Sequence, residues 1–66
     1  MQIILNGQNI NIEENLNLLQ CLQSQNIDSS KVVVELNKNI IPQTNFATTI
    51  LKAEDILEVL HFVGGG

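Results

Sequence analysis

The sequence predicts an α+β fold in which one helix packs against a mixed β-sheet. Apolar residues alternate with polar ones over residues 2–12, and they change to helical spacing over residues 16–25. Alternation returns over residues 31–36 and 56–63. Because the helix and the strands each have one apolar face to bury, they are expected to share a single core.

The chain is expected to open with a β-hairpin made of strands at residues 2–5 and 8–12. Asn6 and Gly7 lie between the two strands. Asn-Gly is the dipeptide that best accepts the left-handed torsions of a tight hairpin turn. Four apolar side chains are predicted to point inward from this hairpin: Ile3, Leu5, Ile10 and Ile12.

A helix is predicted within residues 16–25. Asn17 is a suitable N-cap, and Gln20 lies three residues later, where it can complete a capping box. The residues that fall on one helical stripe, and are therefore expected in the core, are Leu18, Cys21 and Leu22. Cys21 is interpreted as a small core residue and not as a sulfur relay.

The second half of the chain predicts three more strands. Residues 31–36 are β-branched and alternate, which favours a central strand, and a turn at residues 37–39 leads to a short strand at residues 40–41. Pro42 must end that strand or confine it to a sheet edge, because proline cannot donate to a ladder. An irregular crossing follows, with expected core anchors at Phe46, Ile50 and Leu51.

A turn at Glu54 and Asp55 precedes the last predicted strand, residues 56–63. Alternation places Leu57 and Val59 toward the core and Ile56, Glu58, Leu60 and Phe62 on the opposite face.

Length and charge limit the functions available to the chain. Its 66 residues are enough for one domain, and the net charge of -4 disfavours binding to nucleic acid or to anionic membranes. The sequence holds no apolar run long enough to span a bilayer. A single cysteine fits a reducing compartment such as the cytoplasm, and with one histidine it provides no metal-ligand set.

Packing does not explain the final Gly64, Gly65 and Gly66, because glycine adds no side chain to a core and loses the most entropy on ordering. Three glycines make a thin, flexible tether that reaches about 10 Å. The sequence therefore predicts a domain over residues 1–63 and a flexible tail over residues 64–66, which invites a chemical explanation.

These residues resemble the ThiS family of sulfur carriers. The matching segments are MQIILNG at residues 1–7, LNKNIIP at residues 36–42, ILEV at residues 56–59 and HFVGGG at residues 61–66. The chain departs from the family pattern at Gln43, where a basic residue is common, and at Glu54, where glycine is common.

The resemblance implies a ubiquitin-like β-grasp fold and a protein cosubstrate that is not an enzyme. It implies that a ThiF-type adenylating enzyme uses ATP and magnesium to activate the Gly66 carboxylate, with no cofactor bound to the carrier itself. Sulfur from a cysteine desulfurase or another donor then gives a thiocarboxylate, which thiazole synthase consumes. It also leaves the compartment open between cytoplasm and plastid stroma.

The β-grasp topology would set the first strand and the strand at residues 31–36 on either side of the last one. The outward side chains would then form an exposed apolar patch, which usually marks a protein interface. The predicted docking residues are Ile4, Val33, Leu60 and Phe62, with Glu58 at the rim.

Two other functions stay open on this reasoning. One is a sulfur carrier for molybdopterin synthesis, and the other is a non-catalytic ubiquitin-like modifier or interaction module.

Overall fold

The computed structural model describes residues 1–62 of the chain. It contains five strands, one α-helix and two short 3₁₀ helices. The strands are β1 (Gln2–Leu5), β2 (Gln8–Asn11), β3 (Val32–Leu36), β4 (Asn39–Ile41) and β5 (Ile56–His61). The helix α1 spans Leu18–Ser24, and the 3₁₀ turns span Ser29–Lys31 and Gln43–Thr48.

The five strands form one mixed sheet in the order β2-β1-β5-β3-β4. The two hairpins, β1 with β2 and β3 with β4, are antiparallel, as is β3 with β5. β1 and β5 are parallel, although they come from opposite ends of the described chain. The last strand therefore lies in the centre of the sheet, between the first strand and β3.

A single hydrophobic core fills the space between α1 and one face of the sheet. The apolar stripe of the helix and the inward residues of the strands meet there, as the spacing predicts. Its buried members are Ile3, Ile12, Leu18, Cys21, Leu22, Val32, Val34, Phe46, Leu51, Leu57 and Val59. The predicted helix stripe and the inward residues of β5 are thus confirmed.

Asn6 has two structural roles in the N-terminal hairpin. Its backbone takes a φ of 48° and that of Gly7 a φ of 82°, the left-handed pair expected of a tight Asn-Gly turn. Its side chain continues the parallel ladder where the backbone of β1 turns away. The Val59 N–H donates to Asn6 Oδ1 at 2.7 Å, and Asn6 Nδ2 donates to the Val59 carbonyl at 3.2 Å.

The predicted capping box is present at the start of α1. The Gln20 N–H donates to Asn17 Oδ1 at 2.7 Å, and the Asn17 N–H donates to Gln20 Oε1 at 3.0 Å. Two backbone amides at the helix start are thereby satisfied. The helix begins at Leu18 and ends at Ser24, inside the predicted range.

β4 is the short edge strand that Pro42 was expected to produce. In the crossing that follows, Phe46 and Leu51 are buried as predicted, but the predicted core position of Ile50 is wrong, since Ile50 is 52% exposed. Its neighbours explain this. The Leu18 N–H donates to the Thr49 carbonyl, and the Leu51 N–H donates to the Leu16 carbonyl. These bonds form an isolated β-bridge in which the chain is extended. Successive side chains of an extended chain point to opposite sides, so only one of Ile50 and Leu51 can face the core.

The turn before β5 uses a strained residue. Glu54 has a φ of 70°, the left-handed region in which glycine is more comfortable. Asp55 closes the turn by accepting the Lys52 N–H at 2.7 Å and Asn37 Nδ2 at 3.0 Å. β5 ends at His61, so within the described part the predicted strand over residues 56–63 is one residue too long, at Phe62, and Val63 lies outside that part.

Replacing Asn6 with glycine tests the ladder role of its side chain. Asn6→Gly keeps the left-handed turn but removes both bonds to Val59, leaving partly buried backbone groups without those partners. We expect the free energy of unfolding to fall by about 2 kcal/mol, measured by urea denaturation.

Asn15→Gly is the matched control, because Asn15 also has a left-handed φ, 65°, but its exposed side chain forms no hydrogen bond within residues 1–62. It should leave stability within about 0.5 kcal/mol of wild type. Equal losses in both variants would contradict a special role for Asn6.

Candidate functional site: the outer face of the sheet

The face of the sheet turned away from α1 carries most of the exposed large apolar side chains of the described residues. We call it the outer face. Its central column is the outward row of β5, and the outward residues of β1, β3 and β4 flank that row. The members are Ile4, Val33, Glu35, Ile40, Ile56, Glu58, Leu60 and Phe62.

One end of the outer face is formed by Val33, Leu60 and Phe62. Val33 and Leu60 lie directly opposite each other in the β3–β5 ladder. Leu60 is 69% exposed, an unusual degree for a leucine in a central strand. Phe62 follows the strand, and its N–H donates to the Lys31 carbonyl at 3.1 Å. Three of the predicted docking residues are therefore brought together.

The fourth predicted docking residue, Ile4, lies at the other end. It pairs with Ile56 across the parallel β1–β5 ladder and is half-buried. Between this pair and Leu60 lies Glu58, because residues 56, 58 and 60 follow each other on one side of a strand. Glu58 is therefore central on the outer face and not at its rim, which corrects the predicted position.

Sequence reasoning left Glu35 and two apolar residues, Ile40 and Ile56, out of the docking set. Ile40 is 66% exposed and pairs with Glu35, and Ile56 is 45% exposed. Ile56 was already assigned to the outward row by alternation. The position of Ile40 follows from a two-residue turn between β3 and β4, which fixes their register. Adding Ile40 and Ile56 extends the apolar surface to the β4 edge.

The predicted reactive group lies outside the described residues. Gly64, Gly65 and Gly66 follow Phe62 directly after Val63, and the described structure stops at Phe62. What the structure provides is the point of departure. Phe62 is held beside β3 at the same end of β5 as Leu60 and Val33. The Gly66 carboxylate and the flexible tail remain predictions.

The pKa values of Cys21 and Asp28 differ from the ordinary values of these groups. Burial raises the pKa of the Cys21 thiol, which lies in the core. The hydroxyl and the backbone N–H of Ser30 donate to Asp28 and lower its pKa. His61 is exposed at the end of β5. Within residues 1–62 no group of three or more histidine, cysteine or acidic residues is placed to hold a metal ion.

Comparison with known proteins identifies the family. The ThiS family profile matches residues 3–66. The chain belongs to the ThiS family. The sulfur carrier protein ThiS of Bacillus subtilis is 35% identical over 63 residues, covering 94% of this chain and 96% of that protein.

A solved ThiS structure agrees with the fold. The crystal structure of the thiamine biosynthesis protein ThiS from Geobacter metallireducens superposes with a TM-score of 0.87 at 32% identity, and each chain is covered completely. The predicted α+β, ubiquitin-like β-grasp fold is confirmed. The predicted membership of the ThiS family is confirmed as well.

Thiazole synthases are also similar to this ThiS-family chain. The enzyme of Paramagnetospirillum magneticum is 33% identical over 66 residues. The match covers all of this chain but only 20% of the enzyme, so the chain spans about a fifth of that relative. Separately, no helix in the described residues has the length and hydropathy needed to cross a membrane.

The thiol of Cys21 should be unreactive in the native protein. Its raised pKa keeps it protonated up to and above its ordinary value of 9.0, and burial blocks access. At pH 8 we expect a disulfide reagent to label it at least about tenfold more slowly than in denaturant, followed by absorbance. The denatured sample is the control.

The raised pKa of Cys21 also makes stability depend on pH. Because the pKa in the folded state lies above the ordinary value of 9.0, the unfolded chain loses its thiol proton first. Stability is therefore fully retained below pH 9.0, and the free energy of unfolding falls as pH rises through the folded pKa. Labelling of native protein as fast as denatured protein would contradict a core position for Cys21.

Proposed function

We propose that this chain carries sulfur for thiazole formation as a thiocarboxylate on Gly66. The observation that supports the proposal is the match to the ThiS family over residues 3–66, which includes the glycine tail. A ThiF-type enzyme would join the Gly66 carboxylate to AMP, using ATP with magnesium and releasing pyrophosphate. The outer sulfur of a persulfide, for example on a cysteine desulfurase, would then displace AMP and form an acyl disulfide. A thiol would cleave that disulfide, releasing the thiocarboxylate and leaving a disulfide between the thiol and the donor cysteine.

Chemistry explains why such a carrier needs partners. A free carboxylate is a poor electrophile, because it has no good leaving group. Joining it to AMP supplies one. A glycine tether allows that carboxylate to enter an enclosed nucleotide site, because no side chain obstructs it. The carrier supplies the acyl group and its delivery, while the catalytic residues belong to the partner enzymes.

The outer face would dock those partners. Leu60 and Phe62 belong to this exposed apolar surface and lie shortly before the tail in the sequence. A partner that packs on them would therefore also position the Gly66 carboxylate. Complementary packing on Val33, Leu60 and Phe62 would supply most of the affinity. The acidic net charge favours a basic partner surface.

Thiazole synthase is the acceptor we favour. The thiazole synthase of Paramagnetospirillum magneticum supports this choice. One stretch of that polypeptide is similar to this whole chain, and the rest of the enzyme is part of the same polypeptide. Covalent linkage of that kind is expected of two domains that work on one substrate. The compartment, cytoplasm or plastid stroma, remains a prediction. The identity of the sulfur donor and the use of ATP and magnesium by the activating enzyme are predictions as well.

Mass spectrometry tests the reaction. Incubated with its ThiF-type enzyme, magnesium, ATP and a sulfur donor, the protein should gain the mass of one sulfur in exchange for one oxygen, located on Gly66 by fragmentation. A chain with one alanine added after Gly66 is the control and should gain none. No mass gain in the natural chain would refute the carrier function. Covalent conjugates to lysine would favour the modifier alternative instead.

A charged residue on the outer face tests docking. Leu60→Glu should weaken binding to the ThiF-type enzyme about tenfold or more, measured by calorimetry, because it buries a charge against an apolar partner surface. Ile50→Glu is the matched control, since Ile50 is also an exposed aliphatic residue but lies outside the outer face. If both variants bind like wild type, the outer face does not dock this enzyme.

A further inference from the structure

The centre of the outer face contains two carboxylates in direct opposition. Glu35 and Glu58 are paired residues of the β3–β5 ladder and point to the same side of the sheet. Like charges directly opposite each other destabilise an antiparallel pair. Within residues 1–62 neither carboxylate accepts a hydrogen bond or forms an ion pair, and the ion pair found there joins Lys31 to Asp28. The fold therefore keeps an unfavourable like-charge pair at the centre of the outer face.

A depression of about 390 Å³ lies beside this pair. Glu35 and Glu58 supply its acidic part, Ile56 supplies an apolar wall, and Asn37 and Lys38 complete it. Lys38 is within reach of the depression but does not lie within 4.0 Å of either carboxylate. If Lys38 paired with one of them, the other would still be uncompensated. We call Glu35, Glu58 and Ile56 the acidic notch.

The position of the acidic notch restricts which partner can cover the outer face. Apolar residues lie on both sides of it, with Ile4 and Ile56 at one end and Val33 and Leu60 at the other. A partner that packs on both ends must also cover the carboxylates between them. Burying two unpaired carboxylates would cost more than the apolar contacts return. Such a partner must therefore bring a positive charge to that point.

We propose that the acidic notch receives an arginine or lysine side chain of the activating enzyme. This rests on the proposed docking of that enzyme at the outer face. The methylene stem would lie against Ile56, and the cationic head would lie between Glu35 and Glu58. A guanidinium fits best, because its planar fork can donate to both carboxylates at once. The notch then fixes the orientation of the docked carrier and rejects partners that are only apolar.

The test compares the double variant E35Q/E58Q with wild type in calorimetric titrations against the purified ThiF-type enzyme. At about 50 mM salt we expect Kd to rise about tenfold, and at about 500 mM salt the difference should shrink, because salt screens the lost ion pairs. Glu13→Gln removes one exposed carboxylate away from the outer face and should leave Kd unchanged.

A thermal melt of the free double variant separates binding from folding. Removing the like-charge opposition should leave Tm equal to or above that of wild type, whereas a merely structural role would lower it. Binding of the double variant as tight as wild type would overturn the proposal. If wild type still forms the thiocarboxylate in that case, only the notch fails and the carrier function stands. If wild type neither binds nor is modified, the proposed function fails and the notch proposal with it.

Discussion

The structure depends on the insertion of the last strand between the first strand and β3. The parallel contact of β1 with β5 joins residues more than fifty positions apart, and its final step is made by the Asn6 side chain on Val59. Such distant pairing costs loop-closure entropy, and the core packed against α1 must offset it. Without it β5 would become an edge strand, and the outer face would lose its central column.

Because β5 is central, one strand contributes both to the core and to the proposed docking surface. Its inward residues, Leu57 and Val59, are buried in the core, while its outward residues form the middle of the outer face. The strand period of two separates these roles residue by residue. A change at an outward position can therefore alter docking with little effect on folding. The rigid strand also fixes where the chain departs toward the tail, at Phe62.

Local signals predicted much of this fold. The Asn-Gly turn, the capping box at Asn17 and the alternation of β3 and β5 each depend on neighbours within a few residues, so the sequence displays them directly. Two positions were predicted wrongly. Ile50 was expected in the core but is exposed, and Glu58 was expected at the rim of the docking surface but lies at the centre of the outer face. Both follow from the pairing of distant segments, and a local pattern carries no register between such segments.

The candidate site was also predictable only in part, because some of its features need the register between strands. Alternation assigned Leu60 and Phe62 to the outward face, and the β-grasp topology that the resemblance implies added Val33. The structure brings the three together. The opposition of Glu35 and Glu58 needed the β3–β5 register, which neither strand reveals by itself. The chemistry of the glycine tail was inferred from composition and from the family resemblance. Its geometry lies beyond the described residues.

The central claim is that the outer face, and not the helical side, meets the activating enzyme. Nuclear magnetic resonance cross-saturation between the unlabelled ThiF-type enzyme and the deuterated, ¹⁵N-labelled carrier tests it most directly. We expect the amides of Val33, Glu58 and Leu60 to lose intensity while those of α1 do not. Loss confined to α1, with the outer face unaffected, would contradict it.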